Sequence, residues 1–400
     1  MSNRGRSVNC ILPPHILNAL LDSDDREIRR TAVATLTSTS RLRGERTARS
    51  IAAVAAPAGG RRTISDCHQS KVLAQATVER GEDDPAVADG SVNAAFDGLG
   101  TTRDFYAQVL QRNSIDGKGM RLNGYVHYGQ AFNNAFWDSR EMVFGDGDGR
   151  VFSDFTGALD VIAHELTHGV TEHTAGLDYH NQSGALNESI SDVFGSVVKQ
   201  WKLGQTAAQA DWLIGEKIFT PGVEADALRS MKAPGTAYDT PLLGGKDPQP
   251  DRMSRFLNLP DTDEDDNGGV HINSGIPNKA FYLAATGIGG NSWGAPGVIW
   301  YEALKASSPD TDFQAFADTT FAKAGQLFGT GSPEQQAVFA AWQGVEIKIS
   351  GASPLSVRLS ASSNGTGAAA AASLPSRVDE LAGQIKALTK EVNGLRKARA

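Results

Sequence analysis

The segment His164-Glu165-Leu166-Thr167-His168 is the most informative part of this 400-residue chain. On a helix, two histidines four positions apart lie on one face, one turn above the other. Their imidazole nitrogens can then bind one zinc ion at about 2.0–2.1 Å, while Glu165 faces the same cleft and can act as a base. The segment therefore predicts a zinc site on a central helix.

A second helical segment, residues 184–198, supplies the residues that would complete this site. Nineteen residues lie between His168 and Glu188, which we expect to be the third protein ligand. Three protein ligands leave the fourth tetrahedral position to water, as in catalytic rather than structural zinc sites. Asp192, one turn beyond Glu188, and Asn187 are predicted to accept the remaining ring N–H groups of the ligand histidines.

Length and charge indicate several parts and restrict the partners. Four hundred residues exceed one ordinary core, and 40% hydrophobic with 21% charged residues is typical of globular proteins. The net charge is −8, yet residues 1–62 hold eleven Arg against five acids. A basic N-terminal segment beside an acidic body predicts docking by charge complementarity. The same distribution argues against nucleic acid as a partner.

The sequence predicts neither a membrane span nor a disulfide framework. No apolar run approaches eighteen residues. Residues 1–10 are polar and basic with no apolar core after them, so we expect a cytoplasmic location or secretion by a non-classical route. Cys10 and Cys67 are the two cysteines, and we expect both to be reduced rather than bridged.

The pattern changes from strand-like to helical at about residue 160. Residues 62–160 alternate β-like runs with Gly-rich turns, with one helix expected at Ser91–Leu110. Residues 161–347 are mainly helical, with long loops at 232–270. This order predicts an α+β fold with two lobes, a β-rich N-lobe and an α-helical C-lobe, and an active-site cleft between them.

A linker and an apolar repeat follow the body. Residues 351–373 form a Ser/Gly/Ala linker, and residues 374–400 carry apolar residues in the 3-4 spacing of a coiled coil. Two interpretations stay open, because three heptads are marginal alone: a homo-oligomer, or an amphipathic helix packed on its own body. The repeat consists of Val378, Leu381, Ile385, Leu388, Val392 and Leu395.

Taken together, the motifs of residues 62–347 resemble those of the thermolysin-like zinc metalloendopeptidases. Cys10-Ile-Leu-Pro-Pro-His-Ile-Leu17 further resembles the short propeptide motif of the protealysin-type subgroup. The resemblance implies a thermolysin-like fold, Zn²⁺ as cofactor, and cleavage of protein or peptide substrates on the N-terminal side of bulky hydrophobic residues. The other matching motifs are Asn133-Asn-Ala-Phe-Trp137, Gly145-Asp-Gly-Asp-Gly149, Leu228-Arg-Ser-Met231 and Asp266-Asn-Gly-Gly-Val-His271.

The resemblance also implies catalytic roles. Glu165 would take a proton from water and pass it to the leaving amine, as a general base and then acid. Tyr179 and His271 would donate hydrogen bonds to the oxyanion, and Asp266 would keep His271 protonated and oriented. The alternative for Tyr179 or His271 alone is an ordinary structural residue, which the surrounding motifs disfavour.

Substrate contacts follow from the same resemblance. Asn134, the backbone of Ala135 and Arg229 would anchor the substrate backbone, unless Arg229 only makes a structural salt bridge. An apolar pocket would receive the residue after the scissile bond, since apolar burial is worth about 25 cal/mol per Å². Its expected lining, which could equally be plain core, is Phe152, Phe155, Val161, Ile218 and Leu228.

Calcium is where the chain departs from the family pattern. Asp160, Asp211 and Glu216 match positions that help to hold a calcium pair, but Lys199 and Leu213 stand where two further acids are expected. A calcium ion takes six to eight oxygen ligands. The resemblance with this departure therefore implies one calcium ion or none, with the Lys199 ammonium as a replacement for a cation.

Residues 1–55 are predicted to be a propeptide that acts as an intramolecular inhibitor. The Pro-Pro motif, the basic charge and the small-residue run at 55–62 support this, with cleavage expected within residues 45–62. Two roles are open for Cys10. We favour a buried cysteine in the docking motif over a thiolate that binds zinc as a fourth ligand.

Two other functions stay open. A zinc aminopeptidase would need an acidic pocket for a free α-amine, and no such motif is visible. A catalytically silent zinc scaffold would use residues 374–400 for assembly, although every expected catalytic position is filled. We therefore expect an active zinc endopeptidase that is made as a zymogen.

Overall fold

A six-stranded mixed sheet forms the first half of the fold in our computed structural model, which describes residues 9–49 and 61–352. The strand order is β1-β5-β6-β4-β2-β3, with β4 parallel to both β2 and β6 and the other neighbours antiparallel. The strands are β1 (Asn9–Cys10), β2 (Arg62–Asp66), β3 (Thr77–Gly81), β4 (Leu122–Val126), β5 (Ala135–Trp137) and β6 (Glu141–Phe144).

Helices dominate the second half. Two short strand pairs lie in its loops, β7 (Leu213–Ile214) with β8 (Arg229–Ser230) and β9 (Asp239–Thr240) with β10 (Gly245–Lys246). The helices are α1 (Pro14–Leu21), α2 (Arg26–Arg49), α3 (Gly90–Val109), α4 (Leu159–Glu172), α5 (Asn181–Leu203), α6 (Asp266–Asn273), α7 (Gly275–Ile288), α8 (Ala295–Lys305), α9 (Phe313–Phe328) and α10 (Pro333–Gly344).

The helix pair α4 and α5 forms the centre of the molecule. Every residue from Asp160 to Thr171 is buried, as expected for a helix with neighbours on all sides. The two helices approach closely at Gly195, where a Cβ atom would lie 2.6 Å from the carbonyl oxygen of Asp160. Since the predicted zinc ligands lie on these two helices, this close packing fixes their separation.

The N-terminal segment packs on the body through β1, α1 and α2. Strand β1 pairs antiparallel with β5, with Cys10 opposite Phe136. The helical structure of this segment is interrupted between Leu21, where α1 ends, and Arg26, where α2 begins. Asp25 causes the restart, because its Oδ1 accepts the N–H of Glu27 at 2.7 Å and caps α2.

The observed elements agree with the predicted α+β class, in which strands precede residue 160 and helices follow it. The helix expected at Ser91–Leu110 is α3, displaced by one residue at each end. Nearly all of the 351–373 linker, the 374–400 repeat and most of the expected cleavage region lie outside the described residues. Within residues 9–49 and 61–352, no helix combines the length and hydropathy needed to cross a bilayer.

Candidate active site and metal centre

His164 and His168 from α4 and Glu188 from α5 form a group that can hold one metal ion. One ligand atom from each lies within 4.8 Å of the others, and all three side chains are fully buried. The two Nε2 atoms are 3.0 Å apart, and Glu188 Oε1 lies 3.4 Å from Nε2 of His168. The structure thus brings together the three predicted ligands.

Hydrogen bonds on the far side of each imidazole direct Nε2 to this centre. Nδ1 of His164 lies 2.8 Å from Asp192 Oδ1, and Nδ1 of His168 lies 2.8 Å from Asn187 Oδ1. Because both oxygens only accept, each Nδ1 donates, and Nε2 of the neutral ring is the nitrogen that can bind a metal. The second oxygen of Glu188 is buried without a hydrogen-bond partner among the described residues. Two nitrogens and one carboxylate arranged in this way fit a zinc ion.

Glu165 is held beside the ligand group with one oxygen unused. Its Oε2 accepts the backbone N–H of Trp137 at 3.1 Å, and its buried Oε1 has no partner in the described part of the chain. Burial raises the pKa of Glu165 to about 8. Gly169 permits this arrangement, because a Cβ atom there would lie 2.9 Å from the Trp137 ring. A carboxylate with a raised pKa is suited to proton transfer near neutral pH.

Tyr179, His271 and Asp266 form a second polar group over the ligands. The Tyr179 hydroxyl donates to Glu188 Oε1 and lies 3.3 Å from Nε2 of His271. Nδ1 of His271 lies 2.6 Å from Asp266 Oδ1. Although burial opposes protonation, the carboxylates of Asp266 and Glu188 raise the pKa of His271 to about 9. The imidazole is therefore a cationic donor at neutral pH.

A left-handed turn places Asp266 in this position. Asp266 and Asn267 have φ angles of 60° and 51°, and Gly268 and Gly269 follow with 84° and 75°. The turn lets the Asp266 carboxylate accept the N–H of His271 at 2.8 Å. Asp266 is thus buried, in contrast to the solvated acidic run that precedes it.

Carbonyl groups of the N-terminal segment are bound by two of the predicted site residues. The Cys10 carbonyl oxygen lies 3.0 Å from Nε2 of His271. The next carbonyl, that of Ile11, accepts a hydrogen bond from Nη1 of Arg229 at 3.1 Å. Arg229 also makes a two-pronged ion pair with Asp192, so it acts as both backbone anchor and buried salt bridge.

Amide groups of the same segment are bound by two further predicted residues. The Ile11 N–H donates to the carbonyl oxygen of Ala135 at 3.3 Å, and the Leu12 N–H donates to Asn134 Oδ1 at 3.3 Å. Every residue predicted to anchor a substrate backbone therefore contacts residues 10–12, with β5 as the template strand.

The thiol of Cys10 takes a different direction from its carbonyl. The side chain belongs to a buried hydrophobic cluster that also contains Cys67, Phe132 and Phe136. Both cysteines are buried thiols, and burial raises the pKa of Cys67 to about 12. Among the described residues, Cys10 is not part of the metal-ligating group. The structure favours the buried-cysteine interpretation over the thiolate ligand.

The residues expected to line an apolar pocket are all buried. Phe152 contacts Phe155 at 5.7 Å between ring centres and stacks on Phe219 at 5.4 Å. Sequence reasoning missed Phe219, which no motif marks. The other expected lining residues, each at most 1% exposed, are Val161, Ile218 and Leu228.

Lys199 stands among the three residues matched to calcium positions. Its Nζ lies 2.9 Å from Asp211, 3.7 Å from Asp160 and 3.8 Å from Glu216. Nζ also lies 3.5 Å from the carbonyl oxygen of Leu213. The carboxylates thus face an ammonium group, which supplies no oxygen ligand, and this arrangement does not fit a calcium ion.

Three contacts near the site had no sequence signal. Gln249 Nε2 donates to the His271 carbonyl at 2.8 Å, and Asn278 Nδ2 donates to Asp192 at 2.8 Å. Nε2 of His15 lies 2.8 Å from the Tyr238 hydroxyl. These contacts join residues that are distant in the sequence, so only the folded structure shows them.

Two family models match most of the chain. One, described as the catalytic domain of thermolysin metallopeptidases, matches residues 43–172, and one described as their alpha-helical domain matches residues 175–347. The chain belongs to the thermolysin metallopeptidase family. As a member of this zinc-dependent family, it is a zinc metalloendopeptidase, and the predicted two-lobed thermolysin-like fold is confirmed.

Individual relatives agree with this membership. An extracellular metalloprotease of Pectobacterium carotovorum subsp. carotovorum is 49% identical over 328 residues, which cover 81% of this chain and 93% of the relative. A thermolysin of Alicyclobacillus acidocaldarius is 41% identical over 259 residues, which cover 62% of this chain and 44% of the relative.

A solved precursor structure is also similar. It is the precursor of protealysin, a metalloproteinase from Serratia proteamaculans, with a TM-score of 0.76 and 47% identity, and the match covers 85% of this chain and 99% of that one. The protealysin-type assignment within the thermolysin family is thereby confirmed.

Proposed function

We propose that this thermolysin-family zymogen is held inactive by residues 10–12, which lie along the substrate path. The observation that carries the proposal is a set of hydrogen bonds with three consecutive residues, in which His271 and Arg229 donate and Asn134 and Ala135 accept. An extended segment that pairs with a strand edge binds by its main chain, as peptide substrates do. Residues 1–55 then form the propeptide.

The hydrogen bonds also suggest a register for substrates. The Cys10 carbonyl faces the oxyanion donor His271, and the following carbonyl, from Ile11, faces Arg229. The Cys10–Ile11 bond therefore corresponds to the bond that is cut in a substrate. Ile11 is fully buried, which supports a preference for a bulky apolar residue immediately after the cleaved bond. We assign the pocket to the buried apolar residues Phe152, Val161 and Leu228.

The roles of the individual side chains follow from their positions. His164, His168 and Glu188 would hold zinc, which would supply a Lewis acid for the substrate carbonyl and for water. Glu165 Oε1, which has no hydrogen-bond partner within the described ranges, accepts a proton from the attacking water and returns it to the leaving nitrogen.

Stabilisation of the tetrahedral oxygen falls to the second polar group. His271, kept cationic by Asp266, and the Tyr179 hydroxyl donate to the oxyanion. Arg229 holds the next carbonyl and so fixes the substrate's direction. Donors aimed at a developing charge act most strongly in a buried site. The side chains of His271 and Tyr179 are both at least nine-tenths buried.

Calcium is not needed at the cluster around Lys199. The ammonium supplies the positive charge that the carboxylates of Asp160, Asp211 and Glu216 require. Of the two counts left open by the sequence, we therefore favour no calcium ion at this place.

We infer that the protein is secreted. The relatives from Pectobacterium carotovorum and from Serratia marcescens are named extracellular metalloproteases. Immunodetection in the culture medium and in cell extracts tests this, and retention of all protein in the cells would contradict it. Homo-oligomerisation through residues 374–400 stays a prediction, which light scattering with and without that segment tests.

Proteolysis of blocked peptides tests the proposed function. The processed protein is incubated with peptides that carry an acetylated N-terminus and a single Leu, with and without a zinc chelator. We expect cleavage before Leu that the chelator abolishes. An aminopeptidase would leave these blocked peptides intact. A silent scaffold would leave intact both the peptides and casein, which is tested in parallel. Either result would overturn the proposal.

A further inference from the structure

Asp192 carries a carboxylate on which four hydrogen bonds converge. Oδ1 accepts from His164 Nδ1 and Arg229 Nη2, each at 2.8 Å. Oδ2 accepts from Arg229 Nε and from Asn278 Nδ2, also each at 2.8 Å. Each oxygen thus has two donors, which fill the usual lone-pair directions of a carboxylate.

Asn278 provides the one donor in this set that belongs to neither the ligand group nor the substrate path. It lies on α7, and its side chain is fully buried. Its own Oδ1 has no hydrogen-bond partner among the described residues. Burial of a half-satisfied amide is unfavourable, because the unpaired oxygen loses its hydrogen bonds to water. An apolar residue of similar size would avoid that cost, so the Nδ2 donor is the feature that the site uses.

The position of α7 is itself closely fixed. The helix begins at Gly275, where a Cβ atom would lie 2.6 Å from the carbonyl oxygen of Pro250. Asn278 therefore approaches Asp192 from a rigid element that is separate from α5. Besides α5, its own helix, the Asp192 carboxylate is thus bonded from three elements: α4 through His164, β8 through Arg229 and α7 through Asn278.

We propose that Asn278 is a positioning residue for both the zinc ligand His164 and the substrate anchor Arg229. It acts through Asp192, whose two oxygens orient those side chains. The inference rests on the proposed roles of His164 and Arg229. Groups that hydrogen-bond and orient a metal ligand alter the metal affinity by about 10–100-fold, and Asn278 acts on such a group, Asp192.

The test compares Asn278→Leu with a matched control. Leu has a similar volume and removes the donor. Thr320→Val is the control, because Thr320 is also fully buried and accepts one hydrogen bond, from Trp342 Nε1 at 2.7 Å, in a different part of the helical lobe. Zinc affinity of the full chain is measured by competition with a chromogenic chelator, a readout independent of catalysis. KM and kcat are measured on the processed protein with a blocked peptide.

We expect Asn278→Leu to weaken zinc binding about tenfold and to raise KM more than it lowers kcat, since Arg229 loses its support. Thr320→Val should lower the melting temperature and leave both quantities within about twofold of the wild type. The inference would be overturned if Asn278→Leu and Thr320→Val had the same zinc affinity and the same KM.

A second variant, Asn278→Ala, keeps the test valid if Leu disturbs folding, because Ala places no new atoms in the core. The zinc affinity and KM expected of Asn278→Leu are also expected of Asn278→Ala. Failure of the proposed function is separate, because it would appear in the wild type: a chain without stoichiometric zinc, or without cleavage of blocked peptides, contradicts the function itself.

Discussion

The carbonyl oxygen of Cys10 lies 3.0 Å from Nε2 of His271, although 261 positions separate the two residues in the sequence. The cationic imidazole of His271, which we propose as an oxyanion donor, is thereby hydrogen-bonded to the chain's own backbone. The contact depends on the main chain of residue 10 and on the path of the following residues, and not on the thiol.

Substitutions in the N-terminal segment should separate these contributions. We expect a Cys10→Ala precursor to stay latent, because it keeps the carbonyl group and loses only a small buried thiol. Ile11→Ala removes a large, fully buried side chain, which is worth about 2–5 kcal/mol, and should release the segment. The activity of each unprocessed precursor on a blocked peptide gives the comparison. Full activity of Cys10→Ala would restore the thiolate-ligand interpretation.

Acid should weaken the docking of the N-terminal segment through His15. Burial, together with the cations His271 and Arg229, lowers the pKa of His15 to about 4 against the opposing effect of Asp266. Once exposed, the imidazole returns to a pKa of about 6.5. Between these values the released segment binds more protons than the docked one. Docking is therefore complete above about pH 6.5 and weakens as the pH falls towards 4.

Limited proteolysis measures this effect. In an inactive Glu165→Ala precursor, trypsin should remove the segment up to about tenfold faster at pH 5.5 than in a His15→Gln chain at the same pH. The two chains should agree at pH 7.5, since Gln can bond to Tyr238 without titrating. Equal rates for the two chains at both pH values would exclude His15 as the acid-sensitive contact.

Lys199 should make the stability of the body independent of calcium. With zinc kept constant, added calcium should leave the melting temperature of the wild type unchanged. Lys199→Met leaves the carboxylates of Asp160, Asp211 and Glu216 facing one another. It should lower the free energy of unfolding by about 2 kcal/mol, a value between those for exposed and for buried ion pairs. Lys199→Glu should gain stability from calcium, which replaces the lost positive charge. A rise in the melting temperature of the wild type with calcium would contradict this account.

The close packing of α4 and α5 should tolerate no side chain at Gly195. A Cβ atom would lie 2.6 Å from the Asp160 carbonyl oxygen, so Gly195→Ala should destabilise the protein by about 1–3 kcal/mol and separate the zinc ligands. Gly222→Ala is the control, because no atom lies within 4 Å of the corresponding Cβ position. Denaturant unfolding of the two variants gives the comparison, and equal stabilities would show that the helices adjust.

The sequence predicted the site better than it predicted the surroundings of the site. Helical spacing places His164 and His168 on one face of α4 and Glu188 and Asp192 on one face of α5, and the metal-site motif predicted that these two faces meet. Asn278 donates to the Asp192 carboxylate and Gln249 donates to the His271 carbonyl. Both donors lie outside α4 and α5, and long-range packing brings them to these groups. Local periodicity carries no information on such distant contacts.

The N-terminal segment illustrates the same division. The Pro-Pro motif and the basic charge predicted docking, but not which atoms dock. The pairing of β1 with β5 fixes which carbonyl meets His271, and strand register depends on partners more than 120 positions away. The interruption after Leu21 depends on Asp25, whose side chain caps α2 and so competes with a continuous helix.

The central claim is that residues 10–12 cover a zinc endopeptidase site in which Glu165 is the base. The most direct measurement is the rate at which a blocked, Leu-containing peptide is cut by three chains: the intact precursor, the processed wild type and the processed Glu165→Ala variant. We predict rapid cleavage before Leu by the processed wild type alone, and a loss of about 10²–10⁴-fold in the Glu165→Ala variant. Equal rates for precursor and processed wild type, or for wild type and Glu165→Ala, would contradict the account.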